Sequence, residues 1–272
     1  MENKEKIQTK MPITWCPGCT NTAVLTALKK TIAKLIDEGA RQEDFAMVTG
    51  IGCHGKIFDY TNISGIYGLH GRVIPTAFGI KLGNPKLKVL GFSGDGDAYA
   101  EGMEHFIHAF RYNADMTYIV HDNQTFSLTT GQATPTSNQG FKSKAEPLGN
   151  FSKAINPIAL ALAAGGTFIA RCNSLDVNTT AEIFEQAIKH KGFAYIELMQ
   201  NCIIFNNELP KLSKLMYNIE TNKDKSKAEK LVKEWDYSTK QGKIPIGIIY
   251  QTQEPTLEEK CPQFKTNFPA SD

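Results

Sequence analysis

One stretch, residues 88–124 (KVLGFSGDGDAYAEGMEHFIHAFRYNADMTYIVHDNQ), leaves this chain little freedom in how it can fold. An apolar run, Val89–Phe92, ends in Ser93-Gly94-Asp95-Gly96-Asp97. A helical pattern over 98–111 follows, and a second apolar run, Met116–Val120, ends in Asp122-Asn123. Two short strands joined through a helix form a parallel, right-handed βαβ unit. The alternation recurs. β-branched apolar runs lie at 45–49, 87–92, 116–120, 167–170 and 193–198, with helical patterns at 21–38, 98–111, 157–164 and 179–190. In the first helix Val24, Leu25, Leu28, Ile32, Leu35 and Ile36 keep helical spacing, and Gly39 supplies the stop. The predicted class is therefore α/β, a mostly parallel sheet with helices on both faces. Residues 1–272 read as a single domain, with a Cys-rich N-terminal segment (about 12–56) and a polar C-terminal extension (about 210–272).

Thirty Lys and Arg against 28 Asp and Glu give a net charge of +2. A dedicated nucleic-acid binder would carry a strong basic excess, so nucleic acid is not an expected partner. The longest nearly uncharged apolar run, residues 157–169, falls short of the ~20 residues that span a bilayer, and Gly165-Gly166 interrupts it. The polar start MENKEKIQTK has no apolar h-region, so neither membrane nor secretion is expected and the cytoplasm is the default location. Six cysteines in a reducing compartment point to metal binding or catalysis, not to a disulfide framework. The Lys-rich stretch 222–243 reads as an exposed helix and loop, and 255–272, with three prolines, as a tail that wraps over the surface or frays.

Parallel strands place Asp95 and Asn123 at the same carboxyl edge of the sheet, where α/β folds bind ligands. A carboxylate and an amide oxygen are hard ligands suited to Mg²⁺, which keeps phosphate oxygens in its shell. Gly94 and Gly96 let backbone N–H groups approach a diphosphate at the start of a helix. An ordinary Gly-Asp-Gly turn is the plainer alternative, and the strand–helix–strand–Asn context weighs against it. Asp97, counted with the cofactor-binding residues, is placed to cap the helix beginning near Ala98. Cys16 and Cys19 form a C-x₂-C pair before the first helix, Cys53 lies in a Gly-rich turn, and Cys202 follows a strand. Four thiolates at loop-like ends select an iron–sulfur cluster or zinc, and the residues alone do not separate the two.

Gly94-Asp95-Gly96 followed by Asn123 resembles the thiamine diphosphate motif. Trp15-Cys16-Pro17-Gly18-Cys19, Gly50-Ile51-Gly52-Cys53, Leu69-His70-Gly71-Arg72, GFSGDGDAYAEGMEHF and DNQTFSLTTGQATPTS together resemble the β subunit of the 2-oxoacid:ferredoxin oxidoreductases, with a weaker echo in INPIALALAAGGTFIAR and IPIGIIYQ. The resemblance implies a thiamine diphosphate-binding fold and oxidative decarboxylation of a 2-oxoacid to acyl-CoA and CO₂, with electrons passed to ferredoxin. 2-Oxoglutarate is favoured over pyruvate. It implies Mg²⁺ on Asp95, Asn123 and the carbonyl of Thr125, and a [4Fe–4S] cluster on Cys16, Cys19, Cys53 and Cys202. It also sets His70, Gly71 and Arg72 beside the cofactor, His70 meeting the diphosphate or the substrate carbonyl. Lys56, three residues after Cys53, reads either as attracting a substrate carboxylate or the diphosphate or as an exposed loop lysine. Cys172 and Cys261 are expected to be inert, and Thr130 stands where some broad-specificity relatives carry a lysine. The glutamate that faces the aminopyrimidine ring belongs to another domain or chain in this family, so an α subunit is an expected partner beside ferredoxin and coenzyme A. The rival readings are a non-redox thiamine diphosphate decarboxylase or synthase subunit and a zinc-stabilised scaffold.

Overall fold

The computed structural model describes residues 7–264 of the chain. In sequence the strands are β1 (Phe45–Thr49), β2 (Ser64–Tyr67), β3 (Lys88–Gly94), β4 (Met116–Asp122), β5 (Phe168–Asn173), β6 (Phe193–Met199) and β7 (Met216–Asn218), then a small hairpin of β8 (Trp235–Asp236) and β9 (Gln241–Gly242), then β10 (Ile244–Gln251). All but the hairpin join one sheet of order β2-β1-β3-β4-β6-β5-β10-β7. Every pairing in it is parallel except that of β5 with β10. The helices are α1 (Asn21–Asp37), α2 (Val73–Gly83), α3 (Met103–Tyr112), α4 (Pro157–Ala163), α5 (Val177–Lys189), α6 (Leu209–Leu212), α7 (Lys225–Leu231) and α8 (Leu257–Lys260).

The sheet separates two apolar cores. On one face α1 and α5 cover Phe45, Met47, Leu90, Phe92, Ile119 and Ile196. On the other, α2, α3, α4 and α7 cover Val48, Val89, Met116, Tyr118, Val120 and Tyr195. Neighbouring residues of one strand thus enter different cores, as the two-residue period of a strand requires. Because both faces are covered, the central strands read as continuous apolar runs and not as alternating ones. Phe106 anchors the second core with its ring centroid 4.9 Å from those of Phe110 and Tyr195.

The register sets up the site. Gly94 lies opposite His121 across β3 and β4, and Asp122 lies opposite Met199 across β4 and β6. The residues that follow these strand tips are therefore neighbours at one edge.

Three expectations change. The helix expected over 98–111 opens as a π-helical turn, Asp97–Glu101, and becomes regular only at Met103. Asp97 does not cap it, because its carboxylate turns inward to accept the Gly71 N–H at 2.6 Å. The stretch 222–243 is not a solvated face, since Ala228, Leu231, Val232, Trp235 and Tyr237 are all buried. It carries the chain back so that β10 enters the sheet against β5. Part of the tail docks, with the Leu257 N–H donating to the Asn113 carbonyl and the Asp115 N–H to the Glu258 carboxylate; residues 265–272 lie outside the described residues. Among the described residues no helix is long and apolar enough to cross a membrane.

Candidate active site

Asp95, the residue after β3, is 2% exposed and lines a cavity at the carboxyl ends of the strands, together with Gly94, Gly96, His70, Asn123 and Thr125. Its Oδ2 accepts hydrogen bonds from the Thr134 hydroxyl at 2.5 Å and the Thr136 hydroxyl at 3.1 Å. Burial pushes the carboxyl up to about 6, and the two hydroxyls with the N–H groups of Asp95 and Gly96 pull part of that rise back. A buried carboxyl in that condition gains from a bound cation. The Asn123 side chain is held at its nitrogen, which donates to Gln200 Oε1 at 2.8 Å and Ser127 Oγ at 3.0 Å. Its Oδ1 takes only a 3.2 Å bond from the Thr125 N–H. Between them Gln124 adopts φ +57°, folding the Asn-Gln-Thr turn back on itself. One carboxylate and one amide oxygen, from adjacent strand tips, thus share a cavity wall with Thr125.

Asp97 organises the opposite wall. Its Oδ2 lies 3.5 Å from His54 Nε2 and its Oδ1 3.4 Å from His70 Nδ1. Burial raises the Asp97 carboxyl, but His54, the Ser93 hydroxyl and the Gly71 N–H outweigh it and hold the group below its usual range. Only glycine fits at position 50, where an added Cβ would stand 2.0 Å from Asp97 Oδ2. His121, buried and beside His54, is held neutral well below the usual imidazole range. Its Nδ1 lies 2.8 Å from Asn21 Oδ1, which leaves Nε2 buried without a protein partner. His54, His70 and His121 all line the cavity with Asp95. Buried polar atoms without protein partners around a cavity fit a polar ligand, and this arrangement suits a diphosphate with its cation. Gly96 lies against the Phe126 ring, where an added Cβ would come within 2.1 Å. Gly71 and Arg72 stand behind the cavity instead of on its wall. Gly71 tethers Asp97, and the Arg72 guanidinium donates to the Glu101 carbonyl at 3.0 Å.

A second cavity, of about 220 Å³, has Cys16, Cys19, Cys53 and Cys202 on its wall, with Lys56, Thr130 and Gln200. The two cavities share Asn21, Cys53, Asn123, Ser127 and Leu128. Burial, then repulsion from the neighbouring thiols, pushes Cys53 up to about 11, Lys56 opposing; burial likewise raises Cys19. The surrounding donors suit sulfur: Gln200 Nε2 lies 3.5 Å from Cys19 Sγ and the Phe205 N–H 3.4 Å from Cys202 Sγ. Among the described residues no three His, Cys, Asp or Glu side chains gather tightly enough to hold one metal ion. The four thiols stand around a space instead of meeting at a point. Cys172 is fully buried elsewhere in the core, and Cys261 lies beyond β10. Lys56 Nζ donates to Thr14 Oγ1 at 2.9 Å.

His54, His121, Thr134, Thr136 and Phe126 belong to this site, and motif spacing pointed to none of them. Phe126, Thr134 and Thr136 fall in the segment DNQTFSLTTGQATPTS without being singled out there, and His121 has one further sign, its place one residue before Asp122-Asn123 on a strand bound for the carboxyl edge. The threonines lie in loop 123–156, where no periodicity tells which side chains turn inward.

Residues 50–198 match the thiamine pyrophosphate enzyme C-terminal TPP-binding domain, and residues 202–266 match the C-terminal family of the pyruvate ferredoxin oxidoreductase β chain. A 2-oxoacid:ferredoxin oxidoreductase subunit β from Sulfolobus sp is 43% identical over 94% of this chain and 87% of its own length. That of Saccharolobus solfataricus is 41% identical over 95% and 90%. Among solved structures, the 2-oxoglutarate:ferredoxin oxidoreductase from Magnetococcus marinus, with 2-oxoglutarate, coenzyme A and succinyl-CoA bound, superposes with a TM-score of 0.88 at 30% identity, covering 95% of this chain and 88% of that one. A diphosphate-type cavity at the sheet edge, a thiol-walled cavity beside it and relatives matched over nearly their whole length agree: the chain belongs to the β-subunit family of the 2-oxoacid:ferredoxin oxidoreductases.

Proposed function

We propose that this β subunit takes part in oxidative decarboxylation of a 2-oxoacid, 2-oxoglutarate in preference to pyruvate, to acyl-CoA and CO₂, with electrons leaving to ferredoxin through a [4Fe–4S] cluster. The observation that carries the reading is the common wall of the two cavities, which sets a redox-capable thiol group directly beside a diphosphate-type site. When bound, thiamine diphosphate supplies an electron sink at the 2-oxo carbon of the substrate.

The residues of this chain hold and orient. Asp95, the Asn123 amide oxygen and the Thr125 carbonyl would hold Mg²⁺, a set of hard oxygens that leaves room for phosphate oxygens. Asp97 sets a negative charge beside the His54 and His70 rings at the cavity wall, where His70 meets the diphosphate or the substrate carbonyl. Lys56 offers its charge to a substrate carboxylate from the thiol-walled side. Cys16, Cys19, Cys53 and Cys202 would hold the cluster. The site is completed by an α chain, and the cytoplasm, which keeps thiols reduced, suits the cluster.

Anaerobic reconstitution with the α chain tests the reading. 2-Oxoglutarate should reduce ferredoxin in the presence of coenzyme A faster than pyruvate does. Ferredoxin reduction by neither acid would overturn the proposed reaction, and a pyruvate preference would overturn the substrate order.

A further inference from the structure

The loop after Asn123 returns to the site through Thr134, Thr136 and Ser137, all of them 5% exposed or less. Its contacts reach both halves of the proposed metal site. Thr134 donates to Asp95 Oδ2 at 2.5 Å. The Thr136 hydroxyl lies 3.1 Å from Asp95 Oδ2 and 2.8 Å from Asp122 Oδ1, so one side chain reaches carboxyl groups at the tips of β3 and β4. Ser137 donates to the Gln124 carbonyl at 2.6 Å, inside the turn between Asn123 and Thr125. The Thr134 N–H in turn donates to Ser137 Oγ at 2.8 Å, which ties the segment to itself.

The geometry points to Thr134–Ser137 as a positioning clamp, with Thr136 setting the spacing between the two metal-binding strand tips. An ion shared by Asp95 and Asn123 needs their oxygens at a fixed separation, and each comes from a different strand tip. Backbone pairing holds β3 against β4 only as far as Gly94 and His121. Past that point the Thr136 hydroxyl lies within hydrogen-bond distance of both Asp95 and Asp122, the neighbour of Asn123, its one proton serving either of them while Thr134 keeps its own on Asp95. The two hydroxyls packed against Asp95 Oδ2 also restrain the buried carboxyl from rotating. Thr136 is a positioning residue, since it acts through Asp95 and Asp122 and not by touching the ion.

The inference rests on the Mg²⁺ assignment above, and the test separates the two. Mn²⁺ binding to the αβ complex with thiamine diphosphate is followed by the EPR signal of free Mn²⁺ for Asp95→Asn, Thr136→Val, Thr136→Ser and Thr134→Val. Loss of an outer hydrogen-bonding partner typically weakens metal binding on the order of ten- to a hundredfold, and that is expected for Thr136→Val. Thr136→Ser, which keeps the hydroxyl, should bind nearly as tightly as the parent, a rescue that a packing role would not give. If Thr136→Val does not fold, Thr134→Val carries the test with a smaller weakening of the same sign. Mn²⁺ affinity lost in Asp95→Asn yet unchanged in the folded valine variants would overturn the clamp alone. Affinity unchanged in Asp95→Asn would overturn the metal site and the clamp with it.

Discussion

Cys53 and Cys172 are both thiols that burial raises, yet their surroundings assign them different work. Cys53 faces a cavity with three other thiols, whereas Cys172 bonds Thr180 inside the core. A metal takes the place of the thiol proton, so four thiols gathered on one cavity wall gain from a cluster in a way that a solitary core thiol does not. Serine at Cys16, Cys19, Cys53 or Cys202 is therefore expected to lower iron and acid-labile sulfide after anaerobic reconstitution, while Cys172→Ala leaves both unchanged. Equal iron in all five variants would remove the cluster from this cavity. Gly96 makes the same kind of argument from space. A methyl group there meets the Phe126 ring at 2.1 Å, and the ring or the turn must move. Displacements near 1 Å at a site cost up to about a hundredfold, so Gly96→Ala should weaken thiamine diphosphate binding by on the order of tenfold or more. Trimming the ring with Phe126→Leu in the same chain should restore part of the loss, measured by calorimetry on the αβ complex.

At the scale of elements, the end of α5 stores a dependence on pH. His190 sits past its last turn, 5% exposed, with Nε2 3.0 Å from Thr167 Oγ1 and the ring 5.3 Å from that of Phe168. Burial lowers its pKa from an ordinary 6.5 to about 4, against a smaller opposing pull from Asp115. Between those values the unfolded chain binds the proton and the folded one does not, so this contribution to stability is full above pH 6.5 and drains away as pH falls toward 4. Thermal midpoints at pH 7 and pH 5 should differ less in His190→Gln than in the parent; an unchanged difference would assign the acid sensitivity elsewhere. The elements also show what a sequence reveals. β1 was readable to the residue because it is buried on both faces and carries apolar side chains from Phe45 to Val48, closing on a buried Thr49. The Asp95–Asn123 pairing was readable because the βαβ rule alone brings two strand ends together. By contrast, the π-turn at Asp97 depends on the distant Gly71 N–H, and the burial of α7 depends on β10 entering beside β5. Thr136 depends on a loop returning over both strand tips. No local pattern encodes partners that far away.

For the whole molecule, what matters is which groups line the cavity that holds Asp95. Its wall carries carboxylates from Asp95 and Asp97 and imidazoles from His54, His70 and His121, but no glutamate among the described residues. The carboxyl edge of the sheet also leaves apolar side chains in water beside the two cavities: Ile51 at 36% exposure, Leu128 at 49% and Ile204 at 61%. Apolar surface rimming a polar site is what a second chain covers, and the α subunit that the family resemblance implies is the chain expected to bring the carboxylate facing the aminopyrimidine ring. This chain alone should then give no turnover with 2-oxoglutarate and should hold thiamine diphosphate weakly or not at all, both properties returning when the α chain is added. Hydrogen exchange on the αβ complex should show the backbone around Ile51, Leu128 and Ile204 slowed relative to the β chain by itself, with the amino edge of the sheet, near Lys86 and Asp115, unchanged. Turnover by the β chain alone would mean that the carboxylate is supplied from within it, and slowing confined to the amino edge would place the α chain on the wrong side of the sheet to complete the site.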